Sequence, residues 1–298
     1  MRKLTLTLLC LSGLVLPCFA QYTFKTIDYP GAASTNIFAV NNLAQYVGVY
    51  FDASGSAHAI FFNGHTLSAL DPNGVVGQNV SYAFSINNRD QIAGTYSDAS
   101  GAFHGYIYHS GQVTTLDYPG GFNTQAYGVN DIGDVIGIFN DADQNIHCFL
   151  LRHGVYTLAD LPGGTLTIPL SVNDWGEVVG EFADVAGTTG HGYLEILRTG
   201  KFVTYNDPAA PANSTFFISI NNLNQILGQW VDSNNLFHNF LLTGKKLKDF
   251  SLPASFGAVN TSAQTINDAG EIVGWYADAQ GVQHGFTAVR PLPKKDRK

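Results

Sequence analysis

The stretch GTYSDASGAFHGY, residues 94–106, sets an aspartate and a histidine six positions apart, and close copies of it recur along the chain, six in all. A carboxylate and an imidazole at fixed spacing can relay a proton, ligate a metal ion or hold a turn. The aspartate opens Asp-x-x-Gly in four copies, at Asp52, Asp98, Asp184 and Asp278, while Gln144 and Asn235 close the other two. Asp first and Gly fourth is a type I turn preference in which the carboxylate accepts a backbone N–H, so the turn alone accounts for the aspartate. Only DADQN, residues 141–145, has the alternating oxygens of a calcium loop, and it lacks the glycine and distal glutamate that complete one.

Four strands must position these residues. The repeat aligns on Asn41, Asn87, Asn130, Asn173, Asn221 and Asn267, and seven residues after each stands a glycine, Gly48, Gly94, Gly137, Gly180, Gly228 or Gly274. Within a copy, four short alternating runs such as SYAFSIN, QIAGTYS, AFHGYIY and QVTTLDY are separated by turn residues. A period of this length with four strands per unit predicts a β-propeller. The first turn calls for a left-handed residue, which Gly133, Gly176 and Gly270 supply, Asp90 and Asn224 tolerate, and Ala44 fits poorly. The third is a two-residue hairpin, as at Ser110-Gly111 and His153-Gly154. The sixth copy stops at HGFTAV without a fourth strand, whereas YTFKTIDYPG, residues 22–31, matches VTTLDYPGG, residues 113–121. The expected fold is an all-β, six-bladed propeller of four-stranded blades spanning 21–290, its last blade closed by the N-terminal strand and its edges thereby removed.

Residue for residue, the repeat resembles the bacterial extracellular repeat family named for a His-Ala-Phe (HAF) motif. The matching triplets are His58-Ala59-Ile60, His104-Gly105-Tyr106, His147-Cys148-Phe149, His191-Gly192-Tyr193, His238-Asn239-Phe240 and His284-Gly285-Phe286, with Ile60, Cys148 and Asn239 departing from the motif. The resemblance implies export and a repeat fold, and no activity.

Six-fold geometry then decides how the histidines act. Equivalent atoms on neighbouring blades are as far apart as their distance from the axis, and a third strand lies about 9.6 Å outside the innermost one. Zinc needs its nitrogens at about 2.0–2.1 Å, so the copies cannot share a metal ion. Each His is expected to be a scaffold residue in a buried hydrogen bond, on the strand face of the aromatic two places on, with Gly105 and its counterparts leaving the other face open to the neighbouring blade. Cys148, beside His147, reads as packing.

If repeated residues build the scaffold, function should lie where symmetry breaks. Propeller resemblance places ligands on the face where the innermost strands begin. A hydroxyl stands six positions before each repeat Asn (Thr35, Ser81, Thr124, Thr167, Thr215, Thr261), and the next position varies. Asn36, Tyr82, Gln125 and Phe216 from that variable position, with Tyr29, Tyr118 and Phe122 from the loops, supply aromatic faces and amides suited to a glycan or peptide, or else to packing between blades.

Residues 1–20, with Arg2 and Lys3, an apolar run from Leu4 to Leu16 and a small-residue end, read as a signal peptide, and the run is too short to span a bilayer. Without it, 13 cations face 23 acids, a net charge of −10, and Cys148 is the remaining cysteine. An acidic surface argues against nucleic acid, and a lone cysteine forms no internal disulfide. PLPKKDRK, residues 291–298, is a basic tail. Neither a G-x-S-x-G elbow, an H-E-x-x-H helix nor a phosphate loop is present, so no catalytic residue, metal site or cofactor is assigned. Glu181 alone stands out, a carboxylate where the other copies have Val, Thr, Ile, Gln or Trp. The expectation is a secreted or periplasmic, monomeric, non-enzymatic propeller that binds a glycan, peptide or surface partner at its channel mouth. The alternatives are a polysaccharide-directed hydrolase or lyase using the same face, and a structural envelope component.

Overall fold

Alternating short runs do build strands, and glycine decides how closely they approach. In the computed structural model, which describes residues 22–70, 80–184, 190–211 and 214–290, six antiparallel four-stranded sheets form the blades of a propeller. Residues 1–21, which include the expected signal peptide, residues 71–79, 185–189 and 212–213, and the basic segment 291–298 lie outside the described residues. Blade 2 is typical, running Ser81–Ile86, Ile92–Ser97, Phe103–His109 and Gln112–Leu116 from the axis outwards. Blade 6 takes Asn260–Ile266, Ile272–Ala277 and Gln283–Val289 from the end of the chain and Thr23–Ile27 from its start. That strand pairs antiparallel with the third, Thr23 opposite Val289 and Ile27 opposite Gly285, and closes the ring.

All six first turns adopt the left-handed backbone, including Ala44 at φ 57°. The glycine seven residues after the repeat Asn serves close approach instead. A Cβ on Gly94 would overlap the Tyr82 carbonyl oxygen and come within 2.7 Å of the Tyr106 ring. Tyr106 crosses this gap and donates its hydroxyl to the Tyr82 carbonyl at 3.1 Å. Position 105 and its counterparts face the next blade, where a Cβ on Gly192 would lie 3.0 Å from the Phe217 ring and one on Gly285 2.6 Å from Ile37. Buried Cys148 occupies the same kind of position and donates its thiol to the Thr167 carbonyl at 2.9 Å. Burial pushes that thiol pKa up, so packing is what it supplies.

The core lies between blades, not within them. One cluster joins Val47 and Ala59 of blade 1 to Ile86 and Tyr106 of blade 2, and another joins Ile37 and Ile60 of blade 1 to Val273 of blade 6. A polar belt adds to this on the inside. Each repeat Asn donates its side-chain amide to the backbone carbonyl of the next repeat Asn, from Asn41 to Asn87, onwards to Asn130, Asn173, Asn221 and Asn267, and back to Asn41. The same side chains use Oδ1 to accept N–H groups of their own turns, as Asn41 does from Leu43 and Gln45. One residue type thus shapes the turn and links the blades.

Candidate functional site

The repeated Asp and His do meet, and they hold the outer strands. Nε2 of the histidine lies near the turn aspartate at 3.2 Å for His58 and Asp52, 3.4 Å for His104 and Asp98, 3.1 Å for His147 and Asp141, 3.1 Å for His238 and Asp232, and 3.5 Å for His284 and Asp278. Nδ1 reaches the end of the fourth strand, at Asp117 for His104, Asp160 for His147, Asn206 for His191 and Asp28 for His284. The ring stacks on the aromatic directly across the ladder, as His104 does on Tyr96 at 5.3 Å between centroids. Tyr106, two places on, is fully buried and packs 6.3 Å from the same Tyr96 ring. His58 is buried as expected, whereas His104, His147, His238 and His284 are only partly buried, because their turn aspartates stand near the surface. Turn N–H groups hold these aspartates below the usual carboxylate range, with Ser54 added at Asp52, Ser100 at Asp98 and Asn145 at Asp141; for Asp98, with Ser100 as the leading donor, the pKa falls to about 2. Among the described residues no group of three or more His, Cys, Asp and Glu side chains is placed to hold a metal ion.

Blade 5 breaks this pattern. Ser251 stands thirteen residues after His238, where Asp117 and Asp160 follow His104 and His147, and Nδ1 of His238 has no partner among the described residues. Its cross-strand partner is Trp230 where other blades have Tyr or Phe, and the two rings stack at 3.9 Å, 9° from parallel. The imidazole is 44% exposed, the highest value among the paired histidines. Both rings line a cleft of about 870 Å³ between blades 5 and 6, with Phe237, Lys245, Asp249 and Asn260. A short 3₁₀ turn, Ala254–Phe256, lies in the connection between the two blades. Substitution of Ser for the strand-ending Asp, together with Trp for Tyr or Phe, was the available sequence signal for this cleft.

The residues expected to bind at the face where innermost strands begin are placed as follows. Tyr29 stacks on Tyr50 at 4.1 Å and Tyr118 on Phe139 at 3.7 Å, so both rings pack against neighbours. Asn36 is buried and donates to Gln283 Oε1, leaving its own Oδ1 without a partner. Tyr82 stacks on Phe84 at 5.6 Å, and Gln125 accepts from the Tyr127 hydroxyl. Phe122 is exposed beside them in the chain's course, whereas Phe216 is half-buried on the innermost strand of blade 5. None of the seven lines the cleft of Trp230 and His238 or the cavity on the axis. The hydroxyl positions are largely buried and bond to backbone: Thr35 accepts from Tyr29 N–H, Ser81 from Ala59, Thr124 from Tyr118, Thr167 from Leu161 and Thr215 from Asp207.

The channel opens instead at the other end, where the innermost strands finish. Every innermost strand carries a β-bulge three residues before its repeat Asn. The bulged residues Phe38, Phe84, Tyr127, Leu170, Ile218 and Gln264 line a cavity of about 270 Å³. Around its mouth run Asn42, Asn88, Asp131, Asp174, Asn222 and Asp268. Paired carboxylates of the glycosidase kind do not come from blade 4: Glu181 lies opposite Gly192 in the ladder, so Glu195, three residues further, projects from the other face. Burial raises the pKa of both.

Neither a protein-family model nor a curated protein matches the sequence. Solved structures do match in shape. AofleA from Arthrobotrys oligospora superposes with a TM-score of 0.54 at 15% identity, over 92% of this chain and 91% of that one. Aleuria aurantia lectin, described as a six-bladed β-propeller with a fucose recognition mode of its own, gives 0.52 at 10% identity over 88% and 93%. SapL1 lectin, solved in complex with α-methyl fucoside, gives 0.53 at 11% identity over 88% and 98%. At such identities the likeness establishes the six-bladed propeller fold.

Proposed function

We propose that the chain is an exported, non-enzymatic propeller of the HAF-repeat kind that binds a glycan in the cleft between blades 5 and 6. The observation that carries this reading is the released Trp230–His238 pair. A pyranose ring offers an apolar C–H face to an aromatic surface and hydroxyls to the polar groups around it, and the cleft sets Asn260, Asp249 and Lys245 around Trp230, His238 and Phe237. In blades 2, 3, 4 and 6 the corresponding histidine is tied at Nδ1 to the end of the fourth strand. The lectins of like fold support the class of ligand, and the pattern of residues 1–20 supports export. No helix among the described residues is long and apolar enough to cross a membrane.

A glycan array probed with the purified protein, and repeated with Trp230→Ala and His238→Ala, tests the reading. Binding to a defined set of saccharides that either substitution weakens about tenfold or more, at unchanged fold, is the expected result. Array binding indifferent to both substitutions moves the site elsewhere, and an array with no binding removes the glycan reading.

A further inference from the structure

The face where the innermost strands end carries three features that the cleft between blades 5 and 6 does not use. The first is the cavity on the axis. The bulges turn Phe38, Phe84 and Tyr127 towards the channel from three consecutive blades, with ring centroids 5.7 Å apart for Phe38 and Phe84 and 5.0 Å for Phe84 and Tyr127. An apolar floor of this kind is a place for an apolar side chain.

The second is the rim. Its six residues form a closed hydrogen-bonded circle: Asn42 N–H donates to Asn88 Oδ1, Asn88 to Asp131, Asp131 to Asp174, Asp174 to Asn222, Asn222 to Asp268 and Asp268 to Asn42, at 2.7–2.9 Å. Side-chain amides of Asn88, Asn222 and Asn42 bond the remaining oxygens of Asp131, Asp174 and Asp268. None of the three carboxylates is in an ion pair among the described residues, and Asp131 and Asp174 are neighbours in the circle with no side-chain amide between them. Burial, with Asp131 and Asp268 nearby, holds the Asp174 carboxyl above its ordinary range.

The third is a crown. The residue after each rim position is Leu43, Ile132, Trp175 or Leu223 in four blades, with relative exposures from 51% to 67%, while Arg89 and Ala269 complete the circle. Large apolar side chains exposed in a ring around a cavity mark a docking surface rather than a solvated one.

Apolar floor, anionic rim and apolar crown are concentric, and we infer that this face docks a protein segment that inserts one apolar side chain into the channel mouth and pairs flanking Lys or Arg with Asp131, Asp174 and Asp268. The partner is fixed by complementarity: an apolar side chain meets the collar of bulged residues, cations meet the carboxylates without an ion partner, and apolar flanks cover the crown. The rim's closed circle means that this site is ordered before the partner arrives. The inference is independent of the glycan reading, since none of its residues lines the cleft between blades 5 and 6.

The experiment titrates acetyl-Lys-Phe-Lys-amide into the full chain, reading tryptophan fluorescence and calorimetric heat, beside acetyl-Glu-Phe-Glu-amide and acetyl-Lys-Ser-Lys-amide. Saturable binding of the first peptide alone is expected, weakened about tenfold in Asp131→Asn/Asp174→Asn. Asn at both places keeps the oxygen that accepts the neighbouring backbone N–H, as Asn42, Asn88 and Asn222 already do, and circular dichroism checks that the double variant is folded. Phe84→Leu, which retains an apolar floor, should weaken binding less than the double carboxylate change. Equal binding of either control peptide, affinity unchanged in the folded double variant, or no saturable binding overturns the inference. So does a dimer that the double variant dissolves, which gives the face to a second copy, or binding that appears only after residues 291–298 are removed, which gives it to the chain's own basic tail.

Discussion

Nδ1 of His147 stands 2.7 Å from Oδ2 of Asp160, while Nε2 of the same ring lies 3.1 Å from Asp141. A carboxylate only accepts, so this clamp between the third strand, the second turn and the end of the fourth strand makes both of its hydrogen bonds when the ring carries both protons, and it favours that form. Asp160 and then Asp141 raise the His147 pKa; at His104 partial burial opposes the charge, and Asp117 and Asp98 outweigh it. Raised folded-state values mean that the stability these rings contribute is fully present below the ordinary histidine pKa and is lost as pH rises through the higher folded one. The lowered aspartates Asp98 and Asp141 act in the opposite sense, contributing above the ordinary carboxylate pKa and failing as pH falls towards about 2. Together these groups stabilise most between about pH 4 and 6.5. Denaturant midpoints measured from acid to about pH 9 should decline on both sides of that window, and His104→Gln/His147→Gln should flatten the alkaline decline. An alkaline limb identical in the double variant would show that the clamps carry no linked proton.

The circle of repeat asparagines gives a second prediction. Asn130→Ala leaves the buried Asn173 carbonyl without its donor and the Asp134 N–H without its acceptor. Each unsatisfied buried group costs about 1–3 kcal/mol. Asn130→Asp restores the acceptor and not the donor, so it should recover only part of the loss. Urea unfolding of both variants checks the order, and equal stability of Ala and Asp would assign the whole effect to the inter-blade bond.

Backbone conformation supplies the third. Ala44 is held at φ 57°, where an L side chain crowds the following carbonyl. Ala44→Gly should stabilise by about 1 kcal/mol. Gly94→Ala should have the opposite and much larger effect, since its Cβ would overlap the Tyr82 carbonyl oxygen and drive the first two strands of blade 2 apart. Melting curves for the two variants should move in opposite directions.

Much of this was legible because it is local. A turn needing a left-handed residue after Asn-Asn or Asn-Asp declares itself through Gly133, Gly176 and Gly270, and the position of Ala44 follows by alignment. The displaced strand was legible because an incomplete sixth copy and a spare matching run can only be reconciled by pairing them. What eluded the sequence was set by partners far along the chain. That Asn41 bonds a carbonyl 46 residues away cannot be read from its turn, and a bulge at Phe38 depends on register against the next strand. Symmetry breaks at Tyr82, Gln125 and Phe216 on the innermost strands, and it also breaks further out, where Ser251 stands in place of the aspartate that would hold His238. The thirteen-residue spacing from His104 to Asp117 and from His147 to Asp160 was the missed clue.

Closure yields the last prediction. The strand Thr23–Ile27 contributes more than five ladder positions: Tyr22 and Phe24 pack into the cluster between blades 5 and 6, Asp28 holds His284, and Tyr29 stacks on Tyr50 of blade 1. Deleting residues 21–31 therefore exposes the edge of Gln283–Val289 and strips contacts from the interfaces on both sides of blade 6. An exposed edge recruits other strands, so the truncated chain should aggregate, as followed by light scattering. The peptide QYTFKTIDYPG added in trans should restore part of the soluble fraction by strand addition, because the register opposite Val289 to Gly285 is left vacant. A version with proline for both Lys25 and Thr26, which face Thr287 and Phe286, should rescue less, having lost donors to the ladder. If the truncated chain stays soluble and melts with the intact one, the N-terminal strand is not what closes the ring in solution.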